Sequence, residues 1–364
     1  MALVTRPKSR SIASNRGAKR RRLYCGFLRR DPVPWLLSAG GDAIAAFVRR
    51  DLLGENVDVR GLWELPEPRR LLRRQQANGS WRYPVKKPPP QNYHLYQTFV
   101  TLGELVGKFG FDRQHPAVER AARYVFSCQT AAGDFRGIYG NQPAHTYTPA
   151  LMEVLIEAGY LDAPEIERAF QWLLATRQAD GGWAIAARTR DLKLVKQWDA
   201  IASGPEIEAD RTRPFSHVVT GMVLRAFAAH PRYRRTTTAV RAAELLKSRL
   251  FAADKYSDRK GPEYWTKFTY PFQFTNLLTV LDSLGKLGLS PSDPDIARAI
   301  DWFEQRQRAD GSFELTMCRG IGDKRLSLWL GLALCRALGR FGSPSKTSPP
   351  LTTRRAGANS GSTR

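Results

Sequence analysis

Cysteine is scarce in this chain, with four copies among 364 residues. Cys25, Cys128, Cys318 and Cys335 lie far apart and form no C-x-x-C pair. This spacing argues against a disulfide framework and against the paired-thiolate metal sites that such patterns build. The sequence therefore predicts a reducing, cytoplasmic environment.

Long apolar runs and common catalytic motifs are also missing. No stretch approaches the roughly 18 consecutive apolar residues that a membrane-spanning helix needs, and the basic start is not followed by the apolar part of a secretion signal. No G-x-S-x-G elbow, P-loop or H-E-x-x-H motif occurs. These absences exclude the hydrolases, nucleotide-binding proteins and zinc proteases that such motifs identify.

Acidic residues are absent from both ends of a chain whose formal net charge is +23. Residues 1–30 hold ten Lys and Arg, and residues 341–364 hold four. Such segments cannot fold alone, so we expect a disordered basic tail at 1–30, a folded body at 31–341 and a disordered tail at 342–364. The first tail could bind an anionic membrane surface, which would make the protein peripheral at the membrane; a solvated tail and an organelle transit peptide are the alternatives. No specific nucleic acid partner is predicted.

One phrase occurs four times: glutamine, a short polar step, glycine, one residue and an aromatic. The copies lie at 75–81, 129–135, 177–183 and 307–313. The first three glycines are 54 and 48 residues apart, which is the length of one helical hairpin with its connections. The longer interval of 130 residues before Gly311 leaves room for a unit that lost its turn, with a helix over 243–250. Glycine after a helix takes the left-handed conformation, and the aromatic packs back onto the unit.

This phrase resembles the repeat of the squalene cyclase and protein prenyltransferase superfamily over roughly residues 65–340. The resemblance implies an all-α fold, an α/α toroid of about five helical hairpins. Inner helices would surround a funnel, and outer helices would pack on them. It also implies an apolar cavity that in relatives holds isoprenoid chains, although a fold alone does not establish chemistry.

The chain departs from both catalytic patterns of that superfamily. It lacks the D-x-D-D acid of cyclases that protonate an alkene, since Asp293-Pro294-Asp295 is better explained as a helix cap. It lacks the D-x-C pair of the prenyltransferase zinc site, and no histidine follows His230. We therefore expect no metal and no cofactor.

A hydroxyl residue recurs near the start of each expected inner helix. These residues are Thr98, Thr148, Thr220, Thr275 and Ser327. They could simply cap the helices. In a toroid the same helix ends meet at one funnel mouth, so neighbouring side chains could form a substrate-binding ring above an apolar pit. The candidates are His94, Tyr96, His145, Tyr147, His217, Tyr270 and Gln273.

Asp282 is the candidate catalytic acid. It lies seven residues after Thr275, so two helical turns place both on one face of an inner helix. Facing the funnel, its carboxyl would be partly desolvated and have a raised pKa, as a proton donor requires. The alternative is a buried acid paired with an Arg or Lys.

A long charged segment, residues 184–216, interrupts the repeats. Long loops on a repeat scaffold often carry function. Its cations, with Lys267 and Arg319, could hold a phosphate or diphosphate head group, or the segment could be a solvated lid.

Three functions remain open at this point. The first is a divergent terpenoid cyclase or isomerase that acts on an isoprenoid-like apolar small molecule. The second is a noncatalytic binding or scaffold toroid, favoured by the missing motifs. The third is a carbohydrate-active lyase or glycosidase, which would need an open polar groove with paired carboxylates.

Overall fold

A computed structural model describes most of the body of the chain. The described residues are 24, 26–85, 91–193, 196–197, 199–200, 204–256, 261–318 and 324–342. The predicted tail after residue 342 and nearly all of the basic tail lie outside them. So do Cys25 and Arg319.

Six helices of the described part form an inner ring. They are α2 (Asp42–Phe47, continued by a π-helical turn Val48–Leu52), α4 (Tyr93–Phe109), α6 (Tyr147–Leu155, continued by a π-helical turn Ile156–Tyr160), α9 (His217–Ala229), α11 (Leu277–Leu287) and α13 (Lys324–Phe341). Each packs against the next, and α13 packs against α2 to close the ring. The predicted α/α toroid is confirmed, with one more hairpin than the five expected, because the N-terminal helices supply a sixth.

Six further helices pack around the ring. They are α1 (Val33–Ala39), α3 (Pro66–Leu72), α5 (Pro116–Ser127), α7 (Pro164–Ala175), α10 (Thr237–Lys247) and α12 (Pro294–Glu304). The described part also contains one-turn helices, namely α8 (Ala186–Thr189) and the 3-10 turns Val59–Glu64, Tyr233–Arg235 and Pro262–Thr266, and a parallel pair of two-residue strands, β1 (Lys267–Phe268) and β2 (Thr316–Met317). No helix in the described part is long and apolar enough to cross a membrane.

The outer helices begin where local chemistry favours a start. Asp293 accepts hydrogen bonds from the backbone N–H groups of Asp295 and Ile296, which confirms the predicted cap. Pro164 also opens a helix, but the cap residue is Ala163 and no side chain caps that end.

The repeated turns have the predicted conformation. Gly79, Gly133, Gly181 and Gly311 all have φ between +86° and +111°. Trp81, Phe135, Trp183 and Phe313 are all buried. In each of the first three units, the backbone N–H of the aromatic donates to a threonine hydroxyl of the following inner helix: Thr98, Thr148 or Thr220. These hydroxyls therefore join each turn to the next inner helix inside the body. The sequence alone could not decide between this kind of structural role and a place near the funnel mouth.

The glutamine of each turn joins one unit to the next. Gln75 Nε2 donates to the backbone oxygens of Gly79 and Ala117, and Gln129 Nε2 does the same with Gly133 and Glu165. In the last unit, Gln307 instead exchanges two 2.9 Å hydrogen bonds with the backbone of Arg30. The glutamine of the repeated turn, which links neighbouring units, thus also joins the last unit to the N-terminal segment and closes the toroid.

The N-terminal boundary of the body lies earlier than predicted. Tyr24 and Leu28 are buried, and Arg30 is held by Gln307. The described residues before position 31 are therefore part of the body, because they complete the closure between the last unit and the first.

Candidate functional site

The ring encloses a central cavity of about 760 Å³. Its walls come from the C-terminal half of α4, the end of α6 with its π-helical turn, α11, the second half of α13 and the turn after α2. Sequence reasoning expected the pit to open near the N-termini of the inner helices. The cavity that the structure shows lies along the C-terminal half of α4 and the end of α6, and a non-local segment forms part of its wall.

That segment is residues 270–274, which we call the crossing segment. Tyr270 stacks on Trp329 of α13 with ring centres 5.4 Å apart and donates from its hydroxyl to the backbone oxygen of Gly107 at 3.0 Å. A Cβ at Gly103 would lie 3.5 Å from the ring of Pro271, an ordinary van der Waals distance, so the segment packs directly on α4. Residues 270–273 line the central cavity, whereas Phe274 lines a second pocket of only about 60 Å³.

Arg225 on α9 anchors the crossing segment. Its Nη2 donates to the backbone oxygen of Phe272 at 3.1 Å, and its guanidinium lies 5.6 Å from the centre of the Phe272 ring. Glu153 on α6 holds the same guanidinium at 2.5 Å and 3.1 Å. This buried ion pair fixes the segment across the ring.

Asp282 does face the cavity, but two cations hold it. Lys286 Nζ and Arg340 Nε each lie 2.8 Å from its carboxylate oxygens. Burial raises the pKa of this carboxyl, but the attraction of Lys286 and Arg340 outweighs burial, so the pKa lies below its usual range. The carboxyl is ionised at neutral pH. The proton-donor role of Asp282 stays an untested prediction, and its ion pairs argue against it.

Glu157 is the cavity carboxyl with the opposite electrostatics. It lies on the π-helical turn after α6 and lines the cavity. Its side chain is 45% exposed, and its carboxylate lies 3.8 Å from Lys286 Nζ. Burial among protein groups raises its pKa, and repulsion from Glu153 and Asp282 adds to this, while Lys286 opposes it. Glu157 can therefore hold a proton at a pH where Asp282 cannot. Sequence reasoning missed it.

The aromatic candidates at the N-terminal end of the ring pack on one another. Tyr96 lies edge-on to Tyr147 with centres 5.8 Å apart, and Tyr147 is 5.3 Å from Tyr139. His94 Nδ1 accepts the backbone N–H of Tyr83 at 3.1 Å. These contacts form a wall next to the small pocket, and a ligand role for His94, Tyr96 and Tyr147 stays a prediction.

The two other histidine candidates are buried against tryptophans. His145 lies 4.5 Å from Trp172, and neither ring nitrogen has a hydrogen-bond partner in the described part of the chain. Burial lowers the pKa of His145 to about 4, so the ring is neutral. His217 stacks on Trp265 at 4.5 Å, and burial lowers its pKa against the pull of Asp254. Neither histidine lines the central cavity.

None of the predicted head-group cations within the described residues lines the central cavity. Lys267 lies over Tyr264 and 3.8 Å from Glu263. In the described part of the 184–216 segment, Arg213 pairs with Asp191 at 2.8 Å, and no residue lines the central cavity. Of the remaining substrate-binding candidates, Tyr270 and Gln273 do line it.

No metal site is visible among the described residues, where no three His, Cys, Asp or Glu side chains lie close enough to hold an ion. The expected absence of a metal stays a prediction.

The closed ring of six inner and six outer helices around one cavity defines the class of protein, an α/α toroid. Residues 95–205 match the family model of the squalene-hopene cyclase C-terminal domain. The resemblance predicted from the repeated phrase is confirmed over this segment. It covers nearly all of α4 and continues through α8, so it includes the cavity walls on α4 and α6.

The chain is similar to several solved structures, among them the type II terpene cyclase MstE from Scytonema. The two are 14% identical, the match covers 74% of this chain and 94% of that chain, and the TM-score is 0.35. A tyrosine-to-phenylalanine variant of that cyclase is 14% identical, with 91% and 98% covered and a TM-score of 0.40. A protein from Actinoplanes is 16% identical, with 79% and 100% covered and a TM-score of 0.29. No curated protein matches the chain. Likeness at these scores carries nothing about activity or ligand.

Proposed function

We propose that this cyclase-like toroid binds an isoprenoid-like, largely apolar small molecule in its central cavity. The cavity carries the proposal, because about 760 Å³ lies within the range of small-molecule sites and is enclosed by the ring. Apolar side chains from four elements contribute to the wall. They include Phe47, Leu52, Phe99, Val106, Phe111 and Leu278.

Binding is favoured over cyclisation started by Asp282. Protonation of an alkene needs a carboxyl that gives up its proton, whereas Asp282 is held ionised between Lys286 and Arg340. A carbohydrate-active site has less support, because Asp51, Glu153 and Asp282 are each bound to cations and cannot act together as acid and base.

A second candidate function is an isomerase-type proton transfer, and Glu157 is the observation that favours it. Its raised pKa and its exposure to the cavity suit a group that both gives and takes a proton. A carboxyl of this kind is too weak an acid for alkene protonation but matches carbonyl or enol chemistry.

A blocked cavity tests the binding proposal. Val100→Trp places a large ring on the wall of the cavity, while Val240→Trp adds the same ring on the exposed face of α10. Titration with farnesol, together with mass spectrometry of copurified small molecules, should show at least a tenfold loss of affinity for the first variant only. Parent-like binding by a folded Val100→Trp protein would contradict the proposal.

A further inference from the structure

We propose that Glu157 and Arg225 form a recognition site for a neutral oxygen-bearing head group, a hydroxyl or a carbonyl, and that the central cavity rejects anionic head groups. This inference rests on the proposed function, since it names the polar end of the molecule bound in the same cavity. The phosphate or diphosphate site predicted from the sequence involved other cations, those of the 184–216 segment with Lys267 and Arg319.

Every cation that lines the cavity in the described part of the chain is already paired with a carboxylate. Arg50 and Arg336 approach Asp51 at 2.7 Å and 2.5 Å. Arg225 approaches Glu153 at 2.5 Å. Lys286 and Arg340 share Asp282 at 2.8 Å each. An anionic head group would therefore have to displace a carboxylate to gain a cation.

Three other carboxylates on the wall are less well compensated. The nearest cation to Glu157 is Lys286 at 3.8 Å, and Glu104 lies 3.6 Å from Lys108. Asp112 forms no ion pair within the described residues and accepts the backbone N–H of Gln114. Although the whole chain is strongly basic, the uncompensated charge of this cavity is negative. A bound anion would therefore be repelled.

Arg225 supplies an independent indication of a ligand oxygen. Its side chain is 7% exposed and belongs to the wall, its Nε and Nη2 are bonded to Glu153 and Phe272, and its Nη1 has no hydrogen-bond partner among the described residues. A buried donor without an acceptor costs free energy. The group that this nitrogen lacks is an acceptor oxygen.

Glu157 completes the match to a neutral head group. It lies four residues after Glu153, the carboxylate that holds Arg225, and its side chain is open to the cavity. A hydroxyl or carbonyl oxygen between them can accept from Arg225, and Glu157 can donate to the oxygen or accept from a hydroxyl. Carboxylate and phosphate groups also accept from Arg225 but bring negative charge towards Glu153, Glu157 and Asp282.

The test compares two probes with one hydrocarbon chain, farnesol and farnesyl sulfate, by isothermal titration of the full chain. The sulfate keeps its charge at all working pH values. We expect farnesol to bind at least tenfold more tightly than farnesyl sulfate at pH 8. Glu157→Gln should reduce that ratio at least threefold by removing one carboxylate, while Glu119→Gln on the exposed face of α5 should leave it unchanged.

Arg225 is tested by Arg225→Lys, which keeps a cation opposite Glu153 and removes Nη1. Farnesol affinity should fall several-fold while the thermal melt shows a folded protein. Parent-like affinity in this variant overturns the role of Arg225.

A pH series separates charge from shape. The charged and titratable groups that interact with Glu157 are Glu153 from α6, Arg225 from α9, Asp282 and Lys286 from α11, Tyr270 from the crossing segment and Arg336 from α13. As pH falls from 8 towards the ordinary carboxyl pKa of about 4, protonation of Glu157 should strengthen binding of farnesyl sulfate in the parent and have little effect in Glu157→Gln. Equal or tighter binding of the sulfate at pH 8 overturns the head-group inference alone, whereas failure of both probes to bind overturns the proposed function with it.

Discussion

Asp282 and Glu157 show how two carboxyls in one cavity acquire opposite properties. Both are acidic side chains on inner elements, and both lie near Lys286. Asp282 has two cations at 2.8 Å, which hold its pKa below the usual range. Burial raises the pKa of Glu157, and two neighbouring carboxylates add to this, with one cation at 3.8 Å opposing it. Lys286 lies four residues after Asp282 on α11, so this pair follows from the sequence, whereas the fold brings Arg340 and Glu157 to the same place.

Replacing Asp282 should affect stability more than chemistry. Asp282→Asn leaves Lys286 and Arg340 without their anion, and we expect a loss of about 1–3 kcal/mol, which allows for the exposure of the carboxyl at 20%. A group with a depressed folded-state pKa stabilises above its unfolded value near 4 and loses that contribution as pH falls further. Urea unfolding at pH 7 and pH 3 should therefore show the difference shrinking at low pH. Unchanged stability with lost turnover would support the proton-donor role instead.

Replacing Glu157 should have the opposite sign. A carboxyl whose folded-state pKa is raised stabilises least once pH exceeds that pKa, because the folded state then carries an unfavourable charge. Glu157→Gln should be more stable than the parent by about 0.5 kcal/mol at pH 8, a modest amount because water in the cavity screens the charge. The gain should vanish near pH 4. A gain that is the same at both pH values would show that the amide stabilises through packing and not through charge.

At the scale of elements, the repeated turns were predictable because their chemistry is local. Glycine with positive φ, glutamine and an aromatic suffice to define each turn. The unit without this phrase is also visible: α10 ends at Lys247, and Phe251 takes a positive φ of 62° where the other units use glycine. The crossing segment was not predictable. Nothing in residues 270–274 reveals that they contact Gly103 and Arg225, so the position of the cavity could not follow from periodicity.

The turns are expected to differ in their tolerance of a side chain. A Cβ at Gly79 would lie 2.2 Å from the backbone oxygen of Arg120, whereas at Gly181 the nearest atom is the flexible Arg241 side chain at 3.0 Å. Gly181→Ala should cost about 1 kcal/mol for its left-handed backbone, and Gly79→Ala about 3 kcal/mol or more because the backbone must also shift. Chemical denaturation measures both. Equal losses would indicate that strain at φ dominates and that α5 can move away from the turn.

At the scale of the whole molecule, stability depends on closing a ring from its two ends. Arg30 is held by Gln307, 277 residues away, and Trp35 on α1 packs against Gly331 and, at 6.2 Å, against Phe313. The cavity shares this dependence, since α2 and its π-helical turn form one of its walls. A basic N-terminal stretch that ends in ordinary helix-forming sequence gives no sign of this role, because the partner lies in the last repeat.

Truncation separates the described N-terminal segment from the basic residues before it. Deleting residues 1–22 should leave the melting temperature within about 2 °C of the parent, because that deletion stops short of Tyr24, Leu28 and Arg30. Deleting residues 1–40 removes α1 together with the partner of Gln307, and exposes the face of α13 around Gly331. We expect a drop of about 10 °C or more and a broader transition, since one large apolar contact and the closure of the ring are lost together. The short deletion is the matched control for expression and solubility. A parent-like melt after the long deletion would mean that the other five hairpins hold the toroid closed without the N-terminal unit.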